Sequence, residues 1–547
     1  MATSILSIGQ SALAAAQAGI NTTGHNIANA ATPGFNRQVV VQSAAQPQSY
    51  GFGFMGQGTE VSTVKRVYSE FLGSQVRTAQ TTKSGLDSYY TQIKQIDNML
   101  ADPASGLSPA LQDFFSGTQE MSSNPSSIPA RQAALSSAES LASGFQSMAG
   151  RLDEIEQGVN SQITSSVSVI NGYAKQIAQL NDAIGRAQGA TGQPANDLLD
   201  QRDQLILDLN KETRATVVKQ GDGGYNVFIG NGQPLVVGVS TLSLTTVASP
   251  TDPERIEVAY QTANGPVIIG ESSLGGGKLG GVLEFRSQTL EPAQQSLDDL
   301  AIGLATTFNA QHRLGQDIDG NLGGNFFSAT SASDFSVAIT DPRQIAAAAP
   351  ILAEAASTNS GTGAISPGSV NTPSPPDANL QEPVTITFTS PTSYNVTGIG
   401  TGDPIGVSYT PGETITYNGW SVTISGAPAD TDTFTVGPNT GGVGDNRNAL
   451  LLGALQTANT MNGGTTTYQG AYSQIVSQIG NKTRELEVTS SAAGNLLSEA
   501  NLSLQSESGV NLDEEAANLL RYQQAYQAAG KVMQAASEMF DVLLSLG

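Results

Sequence analysis

The sequence has no cysteine, two histidines and one tryptophan. Without cysteine there is no disulfide, no thiolate metal ligand and no thiol nucleophile. Two histidines, His25 and His312, leave little for an imidazole-based metal or acid–base site. Charge is scarce as well: 13% of residues are charged, about half the usual ~25%. The balance is acidic, 47 Asp and Glu against 24 Lys and Arg, for a net charge of −23. That argues against a nucleic-acid partner, which needs a basic face. No apolar run approaches the ~18 residues of a membrane helix, so no membrane insertion is expected. The first basic residue is Arg37, so the start lacks the basic region of a secretory signal peptide. Together these absences predict a protein that leaves the cell without a cleaved signal.

What is present is apolar periodicity, strongest at the two ends. At 547 residues the chain has room for two to four domains. The first thirty residues carry two neighbouring stripes at three-and-four spacing, Leu6, Leu13, Ala16, Ile20, Ile27 and Ile5, Ile8, Ala12, Ala15. Pro33-Gly34 closes that helix. The last segment repeats the pattern. Tyr522, Ala525, Ala529, Val532, Ala536, Met539 and Leu543 form one stripe, and Leu519, Tyr526, Met533, Phe540 and Leu544 another. Pairing the two ends buries one stripe and leaves a second facing water, the mark of an interaction surface. A heterologous contact repeated between copies gives a ring or helical tube. The expected polymerisation interface comprises Ile5, Leu6, Leu13, Ile20, Ile27, Leu519, Tyr522, Tyr526, Ala529, Val532, Met533, Ala536, Phe540 and Leu543.

Between the ends the pattern changes twice. Leu86, Tyr90, Ile93, Ile96 and Leu100 share a helical face. A longer one runs from Leu141 to Ile184, with Gly158 and Gly172 as candidate bends, and NDLLDQRDQLILDL at Asn196–Leu209 adds a shorter helix. Alternation replaces the helical period at Thr216, giving a β-hairpin region to about Ile269. Residues 326–440 are dense in Ser, Thr, Gly and Pro and read as a β-rich domain with a loose linker at about Ser357–Asp377. The fold class is mainly α with β-rich insertions. The expected domains are terminal coiled-coil helices at 1–45 and 510–547, a helical rod domain at 46–325 and 441–509 with a β-hairpin region at about 214–285, and an outer β-rich domain at 326–440.

Chemistry finds no foothold. Asp317-Ile318-Asp319-Gly320-Asn321 starts like a calcium loop, but Ser328 stands where the twelfth-position Glu belongs. Gly275-Gly276-Gly277-Lys278 lacks the Ser or Thr and the spacing of a phosphate loop and reads as a flexible turn. Asp197, Asp200, Asp203 and Glu212 read as a solvated helix face beside Arg202 and Lys211. His25 has no evident nucleophile or metal partner, and His312 ends a helix, where a cation suits the dipole. No catalytic residue, cofactor or metal site is expected, and the chain is not read as an enzyme.

NTTGHNIANAATPGFNRQ (residues 21–38) resembles the amino-terminal signature of the bacterial flagellar axial proteins, the family of rod, hook and hook-associated proteins. GVNLDEEAANLLRYQQAY (509–526) resembles the matching carboxyl-terminal signature. NDLLDQRDQL (196–205), GGVLEFRSQTL (280–290), TFNAQH (307–312), GDNRNA (444–449) and IGNKTRELE (479–487) narrow the resemblance to the hook-associated branch. The resemblance implies a structural subunit at the hook–filament junction, extracellular and needed for motility. It implies self-assembly through the terminal helices, with the hook protein on one side and hook-associated protein 3 on the other. It further implies passage through the flagellar type III export apparatus and a FlgN-type chaperone on the carboxyl-terminal helix, for which Leu519, Tyr526, Met533, Phe540 and Leu544 are the expected surface. The alternatives are another axial protein, a hook protein or hook-associated protein 3, and a secreted β-rich adhesin, which would not need the two terminal signatures.

Overall fold

The computed structural model describes residues 2–100, 102, 106–221 and 223–545; side chains are not described at 2–4, 50, 543 and 544. Leu543 and Leu544, named above, therefore have side chains outside the described residues. The chain divides into two units. One is built from the residues up to 93, 156–287 and those from 483 on; the other from 94–155 and 288–482.

The first unit begins with helix α1 (Ala2–Asn29), which contains no Asp, Glu, Lys or Arg. It stops at the Thr32–Phe35 turn, where Gly34 takes a positive φ of 77°. Strands β1 (Gln38–Ala44) and β4 (Thr59–Arg66) pair antiparallel, with a bulge at Val41/Gln42. Between them lies a hairpin of β2 (Gln48–Tyr50) and β3 (Gly53–Met55). Helices follow along the chain: α2 (Glu70–Leu100), α3 (Leu107–Ser123), which belongs to the second unit, α4 (Ile128–Thr191), which starts there, and α5 (Asn196–Glu212). α4 runs unbroken for 64 residues. Gly158 and Gly172, read as bends, lie inside it with open space around them.

The alternating segment after α5 forms a four-stranded sheet over 215–241 and a three-stranded sheet over 244–268, both antiparallel meanders. Helix α6 (Gly277–Phe285) then packs back on the unit. Gly275–Gly281, read as a flexible turn, is a place of close backbone approach. A Cβ on Gly277 would stand 2.5 Å from the Thr213 nitrogen, and one on Gly281 would stand 2.1 Å from the Gly85 oxygen. The glycines there serve packing and not mobility.

In the second unit, α3 and α7 (Glu291–His312) bury an aromatic cluster. Phe114 and Phe308 lie 5.2 Å apart, Phe308 and Phe326 5.0 Å, and Phe145 and Phe335 4.7 Å. His312 ends α7 but is no surface cation. It is fully buried, its Nδ1–H donating to the Gly324 carbonyl (2.9 Å) and its Nε2 accepting from the Ala346 N–H (2.9 Å). Burial pushes its pKa down to about 4. Asp317, first residue of the calcium-like run, is the acceptor of an Asx turn, taking N–H bonds from Asp319 and Asn321.

Beyond it, two antiparallel sheets share one core. One has the order 351–355, 433–438, 384–390, 393–398, 407–408; the other sets 364–365, 369–370 and 414–417 on 420–425. Trp420, Ile386, Phe388, Val422, Phe434 and Val436 fill that core. Ser357–Asp377, read as a loose linker, supplies two of these short strands. It is also tied down by Asp432, which accepts the Ser360 and Gly361 N–H groups at 2.7 and 3.0 Å. Two-residue strands carry no alternation, so their pairing leaves no pattern to read. The last helices are α8 (Arg447–Ala454), α9 (Tyr468–Ser508) and α10 (Leu512–Ser545).

Candidate functional site: the paired chain ends

Helices α1 and α10 pair antiparallel in the first unit. Asn511 caps α10 through its Oδ1, which accepts the Asp513 N–H (3.0 Å), and three acidic residues in the first turn suit the helix dipole. The seam is made of small residues. On α1 the buried positions are Gly9, Ala15, Ala16, Gly19, Thr23 and Asn26; on α10 they are Glu515, Ala529 and Ala536. Gly9 faces Met533 and Gly19 faces the Tyr522 ring so closely that a Cβ would stand 2.8 and 2.5 Å away. Glu515, Tyr522, Ala529 and Ala536 recur every seven residues, the repeat of a two-helix seam.

The bulkier residues expected at the interface flank this seam. Ile5, Leu6, Leu13, Ile20 and Ile27 on α1, and Leu519, Tyr522 and Met533 on α10, are half-buried. Tyr526, Val532 and Phe540 are exposed at 39–43%. A second repeat is uncovered on α10: Ala525, Val532 and Met539, with Ala528, Ala535 and Val542 beside it, all exposed. The paired ends thus carry an apolar face that this chain leaves open to water.

A buried polar clasp ties the pair to the rest of the unit, and three of the motifs that carried the resemblance, the two terminal signatures and the α5 segment, meet in it. From the amino-terminal signature, Asn26 acts as a strand partner to Gln38. Its Nδ2 donates to the Gln38 carbonyl and its Oδ1 accepts the Gln38 N–H, both at 2.9 Å. The same Nδ2 lies 3.1 Å from Glu515 Oε2 of the carboxyl-terminal signature. Arg37 pairs with Glu514 at 2.7 Å, and its N–H donates to the Ser508 carbonyl. From α5, Asp197 accepts from Gln38 Nε2 (2.7 Å) and lies 3.2 Å from His25 Nε2. Asp200 accepts the Asn36 N–H (3.0 Å), Asn36 Nδ2 (2.6 Å) and Arg66 Nη1 (2.7 Å). Asp203 lies 2.8 Å from Arg66 Nη2.

The reading of Asp200 and Asp203 as part of a solvated face is therefore corrected. Asp200 and Arg202 are buried. Burial pushes the Asp203 carboxyl up, and the Arg66 guanidinium opposes that shift. Arg202 donates to Asn181 and to the Gly223 carbonyl at 3.0 Å, with its cation 3.5 Å above the Tyr225 ring. Arg66 itself drew no attention in the sequence. It lies 134 residues from Asp200, in a strand whose local pattern gives no sign of a buried cation.

Among the described residues no group of three or more His, Asp or Glu could hold a metal ion. Among the described residues no helix is long and apolar enough to cross a membrane. What the site offers is a helix pair, fixed at its base, with an open apolar flank.

Comparison with known proteins agrees with that geometry. Residues 93–327 match the model of the flagellar hook-associated protein FlgK helical domain. Residues 6–36 match the flagella basal body rod protein model, and 504–546 the flagellar basal body rod FlgEFG protein C-terminal model. The chain is 36% identical to flagellar hook-associated protein 1 of Escherichia coli (strain K12), over 99% of this chain and 100% of that one. It is 38% identical to the Salmonella typhimurium (strain LT2) protein of that name, with the same coverage. A solved structure of the flagellar hook junction protein FlgK from Burkholderia pseudomallei superposes with a TM-score of 0.72 at 32% identity, covering 79% of this chain and 99% of the other. These relatives are structural proteins of the flagellum, and the chain belongs to the flagellar hook-associated protein 1 family.

Proposed function

We propose that the chain is the structural subunit that joins the flagellar hook to the layer of hook-associated protein 3 below the filament. Copies assemble through their terminal helices. The observation that carries this reading is the open heptad face of α10, Ala525, Val532 and Met539, beside the seam already filled by α1. Burying such a face against identical neighbours removes apolar area from water once per subunit. The small residues of the seam permit the close helix spacing that a narrow tube needs.

Export through the flagellar type III apparatus and delivery by a FlgN-type chaperone belong to the same proposal. The residues expected to meet the chaperone, Leu519, Tyr526, Met533 and Phe540, recur every seven residues along α10 beside the seam, with Leu544 four residues further on. Leu519 and Met533 are half-buried in the pair. Chaperone and α1 would therefore compete for one surface, keeping α10 unpaired until export.

Deleting the coding segment and examining the cells by electron microscopy tests the junction reading. The expected result is hooks without filaments and flagellin shed into the medium; intact filaments would overturn it. A chain truncated after Val510 should lose the FlgN-type chaperone in a pull-down, and undiminished capture would remove the chaperone from the proposal.

A further inference from the structure

The β2–β3 hairpin stands out from the β1–β4 pair. Its tip presents Phe52 and Phe54 at 82% and 77% exposure. Two aromatic rings held so far into water by a paired hairpin are costly in isolation and mark a contact surface.

The position of the hairpin is set by α1. Gly58, just after β3, packs on that helix: a Cβ there would stand 2.3 Å from Ser11 Oγ and 3.3 Å from the Ile8 Cα. The Thr59 N–H donates to Ser11 Oγ at 3.3 Å. Gly9, between those two residues, faces Met533. The hairpin therefore springs from the level along the helix pair at which α10 exposes Val532.

Charge points to the occupant. The chain carries 47 acidic residues, yet none lies in residues 1–59 or 516–537. α1, the hairpin and the middle of α10 are among the acid-free parts of a −23 chain, and such parts can meet another copy without like-charge repulsion. In a ring of copies about an axis along the helices, the hairpin of one lies level with Val532 of the next.

We infer that the β2–β3 hairpin is a second assembly element, which docks Phe52 and Phe54 on the uncovered Ala525–Val532–Met539 face of α10 in a neighbouring copy of this chain. The inference rests on the junction reading. It adds that the face is covered in part by a strand hairpin and not by helices alone.

The absence of cysteine makes the test clean. The full chain carrying Phe54→Cys and Val532→Cys is expressed in the deletion strain, and the hook–filament fraction is treated with a short bismaleimide. The expected result is a ladder of cross-linked oligomers, absent from either single variant and from the same chain dilute in solution. Filament-bearing cells with no ladder beyond the single variants would overturn the inference while leaving the junction reading intact. A ladder that forms as readily in dilute solution would also overturn it. In a second arm, Phe52→Ser with Phe54→Ser is expected to leave the melting temperature of the purified chain unchanged, since both rings are exposed, and to lower the number of filaments per cell at least tenfold. A normal filament count would refute the docking. Filaments in the deletion strain itself would remove the junction reading, and the inference with it.

Discussion

Gly19 allows the α1–α10 seam to be weighed against helix propensity in one helix. In Gly19→Ala the new Cβ would stand 2.5–2.6 Å from three carbons of the Tyr522 ring. No contact that short persists, so the ring must turn or the helices must separate. Overpacking of this kind costs about 1–3 kcal/mol. Against it, Ala in place of Gly in a helix interior contributes about 0.8–1 kcal/mol. The expected net is a loss of about 0–2 kcal/mol. Gly24 lies in the same helix, exposed, with nothing within 4 Å of its Cβ position. Gly24→Ala should therefore gain about 0.5–1 kcal/mol. Propensity cancels in the comparison, and the remaining difference of about 1–3 kcal/mol belongs to the seam. Amide hydrogen exchange in α1 reads it directly, as protection about five- to a hundredfold lower in Gly19→Ala than in Gly24→Ala. Adding Tyr522→Ala should bring the two together. Equal protection in both single variants would mean that α1 does not face Tyr522 in the dissolved chain, and the helix pair would then form only on assembly.

Three further outcomes follow from buried charge and open helix. Arg66→Met leaves the Asp200 and Asp203 carboxylates without their cation, and urea unfolding at pH 7 should show a loss of about 3–5 kcal/mol. Because a carboxyl so stranded has its folded pKa raised above the unfolded one, that loss should shrink as pH falls; a constant penalty would refute the burial argument. His312 is held neutral in the fold, with a pKa of about 4 against 6.5 unfolded. The unfolded chain takes up a proton as pH falls below 6.5 and the folded chain does not, so stability is lost from about pH 6.5 down to 4, by about 3 kcal/mol in total. His312→Asn should flatten that part of the profile. Gly158→Ala, in open space within α4, should raise stability by about 0.5–1 kcal/mol in thermal unfolding.

The elements were legible where period and composition speak for themselves. The terminal helices, the long helix from Ile128 and the switch to strands after Thr216 follow from spacing alone. The seam was harder to read. Stripe counting favours Leu, Ile, Met and Phe, so on α1 it marked Leu6, Leu13 and Ile20, while the close approaches fall at Gly9 and Gly19; on α10 it did mark Ala529 and Ala536, which are buried. Two helices meet most closely where side chains are smallest, and the large residues then flank the contact. The glycines of α1 were there to be found, but hydrophobicity gives them little weight.

The polar clasp was legible only as motifs. Asp197, Asp200 and Asp203 have the spacing of a solvated face, and nothing local says otherwise. Their burial is decided by Arg66 and Asn36, more than 130 residues away. The clasp also changes what the terminal signatures are for. Asn26, Asn36, Arg37, Gln38, Glu514 and Glu515 all bond within one chain. These signature residues join the ends of the chain to its body, where a hydrogen-bond geometry must be met atom by atom. The surfaces proposed above for meeting another copy, the α10 flank and the hairpin tip, are apolar and demand only area and shape. A motif search finds the first kind of residue and passes over the second, so the family was readable from motifs, while the proposed assembly surface rests on apolar spacing and exposure.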